Sequence, residues 1–141
     1  IGNEQCATVL RQIYPAIPAS DEDIAACVHS SVASIYNRLG VHQFEVAADA
    51  DLYFEDRTFA AMQLNDSDLQ RLRKLLLSRF PGDYDVKTLS DVDLLSEVGD
   101  ESTAKTLEAY LLMYPDVPGK IRAEMAYDIK RIRERHKSHV T

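Results

Sequence analysis

Apolar residues recur along this chain at spacings of three and four, the period that lines one face of an α-helix. The clearest stripe is Ile24, Val28, Val32, Ile35 and Leu39. Ser20 and Asp23 stand ahead of it at capping-box spacing, and the acids at 21–23 suit the positive end of a helix dipole. Gly40 follows where a left-handed C-terminal residue belongs. A shorter helix is expected around Glu4–Tyr14, closed by Pro15 and Pro18. Over residues 41–63 the pattern weakens. Val41–Val46 reads as a short extended piece, and Phe54 to Met62 as a loop leading into a helical turn. From Asp66 or Ser67 the stripe returns as Leu69, Leu72, Leu76 and Phe80, and Pro81-Gly82 ends it.

Ser90 is placed to cap the next helix, with Asp93 at its third position and Leu89 stapled on Leu94, up to Gly99. Another is expected from Ser102 to Tyr114, burying Leu107, Tyr110, Leu111 and Tyr114 before Pro115. The last starts near Pro118, a favourable first-turn residue, and aligns Ile121, Met125, Ile129 and Ile132. The pattern predicts an all-α fold: a compact bundle of about five to seven helices with short connections, in a single domain spanning 1–141. Ile13–Pro18 and Met113–Pro118 echo each other. With no regular shorter period and no third full copy, they read as similar helix–helix corners, not as a solenoid.

Composition narrows the class. The 141 residues are 45% hydrophobic and 28% charged, with 23 acidic and 16 basic side chains and a net charge of −7. That suits one soluble globular domain, and apolar runs of only a few residues exclude a membrane-spanning helix. The charge is unevenly spread: residues 1–70 hold 11 acids and 3 bases, whereas residues 120–141 hold 3 acids and 7 bases. The chain starts at Ile1, which reads as a processed or excised N-terminus, and the pattern does not specify a compartment. Cys6 and Cys27 are too few for a disulfide framework; they read as buried thiols, with a pair across neighbouring helices as the alternative.

Most catalytic signatures are missing: no glycine-rich phosphate loop, nucleophile elbow or zinc-helix motif occurs. Asp49-x-Asp51, Asp83-x-Asp85 and Asp91-x-Asp93 open like calcium loops, but Tyr53, Lys87 and Leu95 occupy the next ligand positions and the turn glycine is absent. These acids read as loop and helix-start residues. Cys27 and His29 would point about 200° apart around a helix. His136 and His139 share a face but supply only two ligands where a metal centre needs at least three. No catalytic residue and no metal site is assigned. The tyrosines, mostly at expected helix ends, suit the margins of a core or an interface.

The strongest local signal is basic. Lys130, Arg131, Arg133, Arg135 and Lys137 crowd into eight residues of the last helix. They are the candidate partner-binding residues, or alternatively a clamp onto the acidic body. As phosphate contacts they would suit nucleic acid, but the pI near 5.0 and the lack of interleaved aromatics disfavour that partner.

From Ile24 to Val98 the order of elements resembles an acyl or peptidyl carrier protein. Leu39-Gly40-Val41 closes a long first helix, Glu45-Val46 and Asp49-Ala50-Asp51-Leu52 follow with Glu55-Asp56, and Asp66-Ser67 opens the next helix. The resemblance implies a helical bundle carrying 4′-phosphopantetheine on Ser67. Asp68 departs from the family, which usually has an apolar residue there. The chain is therefore expected to be a non-catalytic interaction or assembly subunit without a cofactor, acting through a protein partner and compatible with self-association. A carrier-like domain modified at Ser67 is the alternative, and a nucleic-acid module using the C-terminal basic helix is a weaker one.

Overall fold

A computed structural model describes residues 5–6, 8–9, 22–80 and 84–140; the side chains of residues 22–26, 136 and 138–140 fall outside that description. The fold is all-α. Among the described residues there are seven helices and no strand: α1 Glu22–Leu39, α2 Gln43–Ala48, α3 Phe54–Ala61, α4 Asp66–Ser78, α5 Val86–Val98, α6 Glu101–Met113 and α7 Gly119–Val140. Residues 5–6 and 8–9 are helical, within the segment expected to be the first helix. The Ser20 cap, the proline corner at 15–18, the Pro81-Gly82 stop and the side chains of Ile24, His136 and His139 lie outside the described residues. No described helix is long and apolar enough to cross a membrane. By its internal packing the chain groups into two compact units, Ile1–Leu64 and Asn65–Thr141.

In the first unit, α1 ends as the sequence predicts. Gly40 takes φ +70°, its N–H donates to the Asn37 carbonyl at 3.3 Å, and the Val41 N–H donates to the Tyr36 carbonyl at 3.1 Å. This pair of bonds is a Schellman closure, and the left-handed glycine makes it inexpensive. The buried face is rotated from the expected stripe. Val32, Ala33 and Tyr36 are buried while Leu39 is exposed, because α2 and α3 both pack on the Tyr36 side. The stretch expected as extended and loop is these two short helices. Their buried positions, Val46, Ala47, Ala48, Ala60 and Ala61, are small and local and show no long stripe, while the larger Phe59 is exposed. Arg57 is fully buried among them, its Nε donating to the Ala47 carbonyl at 2.9 Å. Asn37 Nδ2 donates to the Asp56 carbonyl at 3.1 Å and ties α1 to α3.

The second unit is organised by α7, which packs along both α5 and α6, while α4 packs on α5. Its core joins Leu72 and Leu76 of α4, Val92, Leu94, Leu95 and Val98 of α5, and Ala104 and Leu107 of α6 to Ile121, Met125, Ile129 and Ile132 of α7. The predicted stripes of α4 and α7 thus meet in one core. Side chains cap three of these helices: Asn65 accepts from the Asp68 N–H at 2.8 Å, and Asp85 from the Thr88 N–H at 3.2 Å. Asp100 and Thr103 form a reciprocal capping box. Arg122 of α7 reaches back to the end of α6, donating to the carbonyls of Leu111 and Tyr114 at 3.2 and 3.0 Å.

One boundary differs. Helix α5 starts at Val86, not at Ser90, because Asp85 supplies the cap directly after Tyr84, whose φ of 53° breaks the chain direction. Asp91 and Asp93 are therefore in the middle of a helix, where an acid faces the packing of neighbouring helices rather than a free N-terminus. At the α5–α6 corner, a Cβ on Gly99 would stand 2.4 Å from the Leu95 carbonyl oxygen and 3.0 Å from both Ile132 and Thr103. Only glycine lets α5 and α6 close this tightly beneath α7.

Candidate functional site

The basic residues of α7 turn inward on the second unit. Arg133 donates to both oxygens of Glu108, at 2.8 and 2.6 Å, and to Glu101 at 3.1 and 3.2 Å. This is the forked geometry that suits guanidinium to carboxylates. The bond from Arg133 holds the Glu108 carboxyl below the usual range. Arg131 donates to Glu97 at 2.9 Å and to the Ser96 hydroxyl at 3.3 Å, and its guanidinium lies 5.9 Å from the centre of the Tyr127 ring. Arg135 donates to the Gly99 carbonyl at 3.0 Å. Of the five candidate partner-binding residues, Arg131, Arg133 and Arg135 thus act as an internal clamp on α5 and α6. Lys130 and Lys137 are exposed, with Lys130 3.9 Å from Glu134 one turn along.

Beneath this clamp lies a cluster that the sequence reading missed. Carboxylate oxygens of Asp93 on α5 and of Glu124 and Asp128 on α7 lie within 4.8 Å of one another. Glu124 and Asp128 share a helix face because they are four residues apart, and the packing of α5 on α7 adds Asp93. Asp128 is only 1% exposed, and Oδ1 of Asp93 and Oδ2 of Asp128 are buried without a hydrogen-bond donor. Burial first, then the neighbouring Asp93 and Glu124, push the Asp128 carboxyl up to about 9. Contact with Asp93, together with burial, raises Glu124 as well. One signal was present in the sequence: Asp128 falls three residues after Met125 and four before Ile132, an acid set within the apolar stripe of α7.

Ser67 is exposed in the first turn of α4, after the Asn65 cap. It borders an open groove of about 400 Å³ in the second unit, with Gln70, Arg71, Arg73, Lys74 and Ser102. Arg73 crosses the groove floor to donate to the Val98 carbonyl at 2.6 Å and lies 3.6 Å from Asp100. Burial acts to raise the Asp100 carboxyl, but the Thr103 N–H and hydroxyl and the Arg73 charge outweigh it and hold the group low.

At the other end of α4, Phe80 stacks on Tyr110 at 5.2 Å and meets Tyr84 and Tyr114 edge-on. On the same last turn of α6, Leu112 and Met113 are 85% and 60% exposed.

In the first unit a cavity of about 280 Å³ is lined by Val32, Tyr36, Val46 and Leu52 among others. At its edge His29 Nε2 lies 2.6 Å from Asp49 Oδ2. Cys6 and Cys27, expected as buried thiols, are both exposed, Cys27 lying on the α1 face opposite Tyr36.

No family model, curated protein or solved structure matches this chain.

Proposed function

We propose that this chain is a non-catalytic interaction or assembly subunit that docks a protein partner through the aromatic end of its second unit. The observation that carries this reading is the exposure of Leu112 and Met113 on the last turn of α6, the same helix end that carries Tyr110 and Tyr114 of the ring cluster. Tyrosine and methionine are enriched at interfaces, where rigid rings and an adaptable thioether bury large areas at little entropic cost. The basic helix is engaged elsewhere: Arg131, Arg133 and Arg135 hold α7 against α5 and α6 through Glu97, Glu101, Glu108 and the Gly99 carbonyl. Nucleic-acid binding through the same residues would require those guanidinium groups to leave their carboxylates.

The test compares the partners that co-purify with the wild-type chain and with a Leu112→Asp, Met113→Asp double variant. Burying one such side chain is worth roughly 1.5–3 kcal/mol, so the double variant should weaken a bound partner at least tenfold while its melting temperature stays near wild type. An unchanged affinity for the same partner would overturn the reading.

One observation favours the carrier-like alternative. Ser67 is exposed at a helix start beside Arg71, Arg73 and Lys74, where a phosphodiester would find both helix-end N–H groups and cations. Incubation with a phosphopantetheinyl transferase and coenzyme A should then add a single prosthetic-group mass, and Ser67→Ala should abolish it. No mass change in the wild type would remove this alternative.

A further inference from the structure

We infer that Asp93, Glu124 and Asp128 form a binding site for a hard divalent cation, bridging α5 and α7. Three carboxylate oxygens from two helices converge within 4.8 Å, the spread expected of ligands around one oxygen-coordinated ion. The donor set is all carboxylate, with no imidazole or thiolate, which favours Mg²⁺, Ca²⁺ or Mn²⁺ over zinc or copper. The second, independent observation is the buried carboxyl itself. Asp128 is 1% exposed, and its Oδ2, like Oδ1 of Asp93, meets no donor from the protein. Buried acceptors are almost always satisfied, and a cation, a proton or an ordered water can satisfy these. Asp93 and Glu124 are only half-buried, which leaves water a way to complete the coordination shell on their side.

The surrounding charges suit an ion. Asp93 and Glu97 of α5, and Glu124 and Arg131 of α7, are the charged groups around Asp128. Glu97 and Ser96 hold the Arg131 guanidinium, while α6 turns Glu101 and Glu108 to Arg133 instead. With Glu97 counted, four ionised carboxylates against one divalent ion and Arg131 leave one negative charge, where the three cluster carboxylates without the ion would leave three. Without the ion, a proton must take its place, in keeping with the raised Asp128 and Glu124 carboxyls. Cation entry is therefore an exchange: the metal–oxygen bond forms as the carboxyl O–H proton leaves for the buffer.

The site goes beyond the docking surface and does not depend on it. The experiment is calorimetric titration of the chelator-treated full chain with Mn²⁺, Ca²⁺ and Mg²⁺ in two buffers of different ionisation enthalpy, alongside thermal melts. A single cation per chain, about one proton released at pH 7, and a melting temperature that rises with the cation are expected. Asp128→Asn and Glu124→Gln should each weaken binding at least tenfold. Glu134→Gln, on the same helix outside the cluster, should bind as wild type. A folded wild-type chain that shows neither heat nor a melting shift at millimolar cation would overturn the proposal, leaving the cluster satisfied by protons alone. So would variants of Asp128 and Glu124 that bind as tightly as the wild type.

Discussion

Replacing Asp128 with asparagine isolates the cost of burying an acid in the core of the second unit. The Asp128 carboxyl ionises near 3.8 as a free side chain but near 9 in the fold. Below about pH 4 it is protonated in both states and has no effect on stability. As the pH rises beyond that, the unfolded chain gains the ionised form while the native chain stays protonated, so the native state loses stability up to about pH 9. Asp93 and Glu124 share the cost of this burial, and a buried polar group left unsatisfied costs about 1–3 kcal/mol, more when charged. Asparagine keeps the shape, cannot ionise, and can donate its amide to the orphaned Asp93 acceptor. The variant should therefore melt with the wild type near pH 4 and increasingly above it toward pH 9, with chelator present throughout. A cost of about 2 kcal/mol corresponds to roughly 6–8 °C in a chain of this size. The assay is paired thermal denaturation by circular dichroism at half-unit pH intervals. Melting curves that run parallel across this range would refute the reasoning, as would an asparagine variant that is less stable throughout.

Three further outcomes follow from the packing of the same unit. Gly99→Ala should destabilise by about 1–3 kcal/mol, because its Cβ meets a carbonyl oxygen and two packed side chains at once; chemical denaturation measures this, and a neutral result would mean the α5–α6 corner opens freely. Asp100→Ala removes the α6 capping box and should cost about 0.5–2 kcal/mol. Because the Asp100 carboxyl is held low, the wild-type advantage should be present at neutral pH and fade as acid protonates it, which denaturation at neutral and acid pH would reveal. Arg133→Gln should lower the melting temperature by releasing Glu101 and Glu108, and the gap to wild type should narrow in molar salt, which screens such pairs.

The same two helices show where sequence patterns stop. In α7 the apolar stripe at Ile121, Met125, Ile129 and Ile132 is a property of one segment, and it becomes the buried face. The Gly40 closure of α1 was legible for the same reason, since a left-handed cap depends on the residue standing there. The start of α5 was not, because Ser90 and Asp85 both make acceptable caps, and the turn through Tyr84 decides between them. The short helices α2 and α3 were also hidden: with six and eight residues, each is too short to repeat its own period.

The sequence by itself determined an all-α chain, the buried stripes of α4 and α7, and the segregation of positive charge into the last helix. Each follows from spacings of three or four residues or from composition, which need no knowledge of neighbours. Only the tertiary structure decided what that charge does and which acids matter. Arg131 and Arg133 lie more than thirty residues from Glu97 and Glu101 in the chain, and Asp93 is similarly remote from Glu124 and Asp128. Attraction between the first set and the mutual burial of the second arise only when α7 packs against α5 and α6. Electrostatic energy depends on distance in space and on exclusion of water, and neither is written in the order of residues.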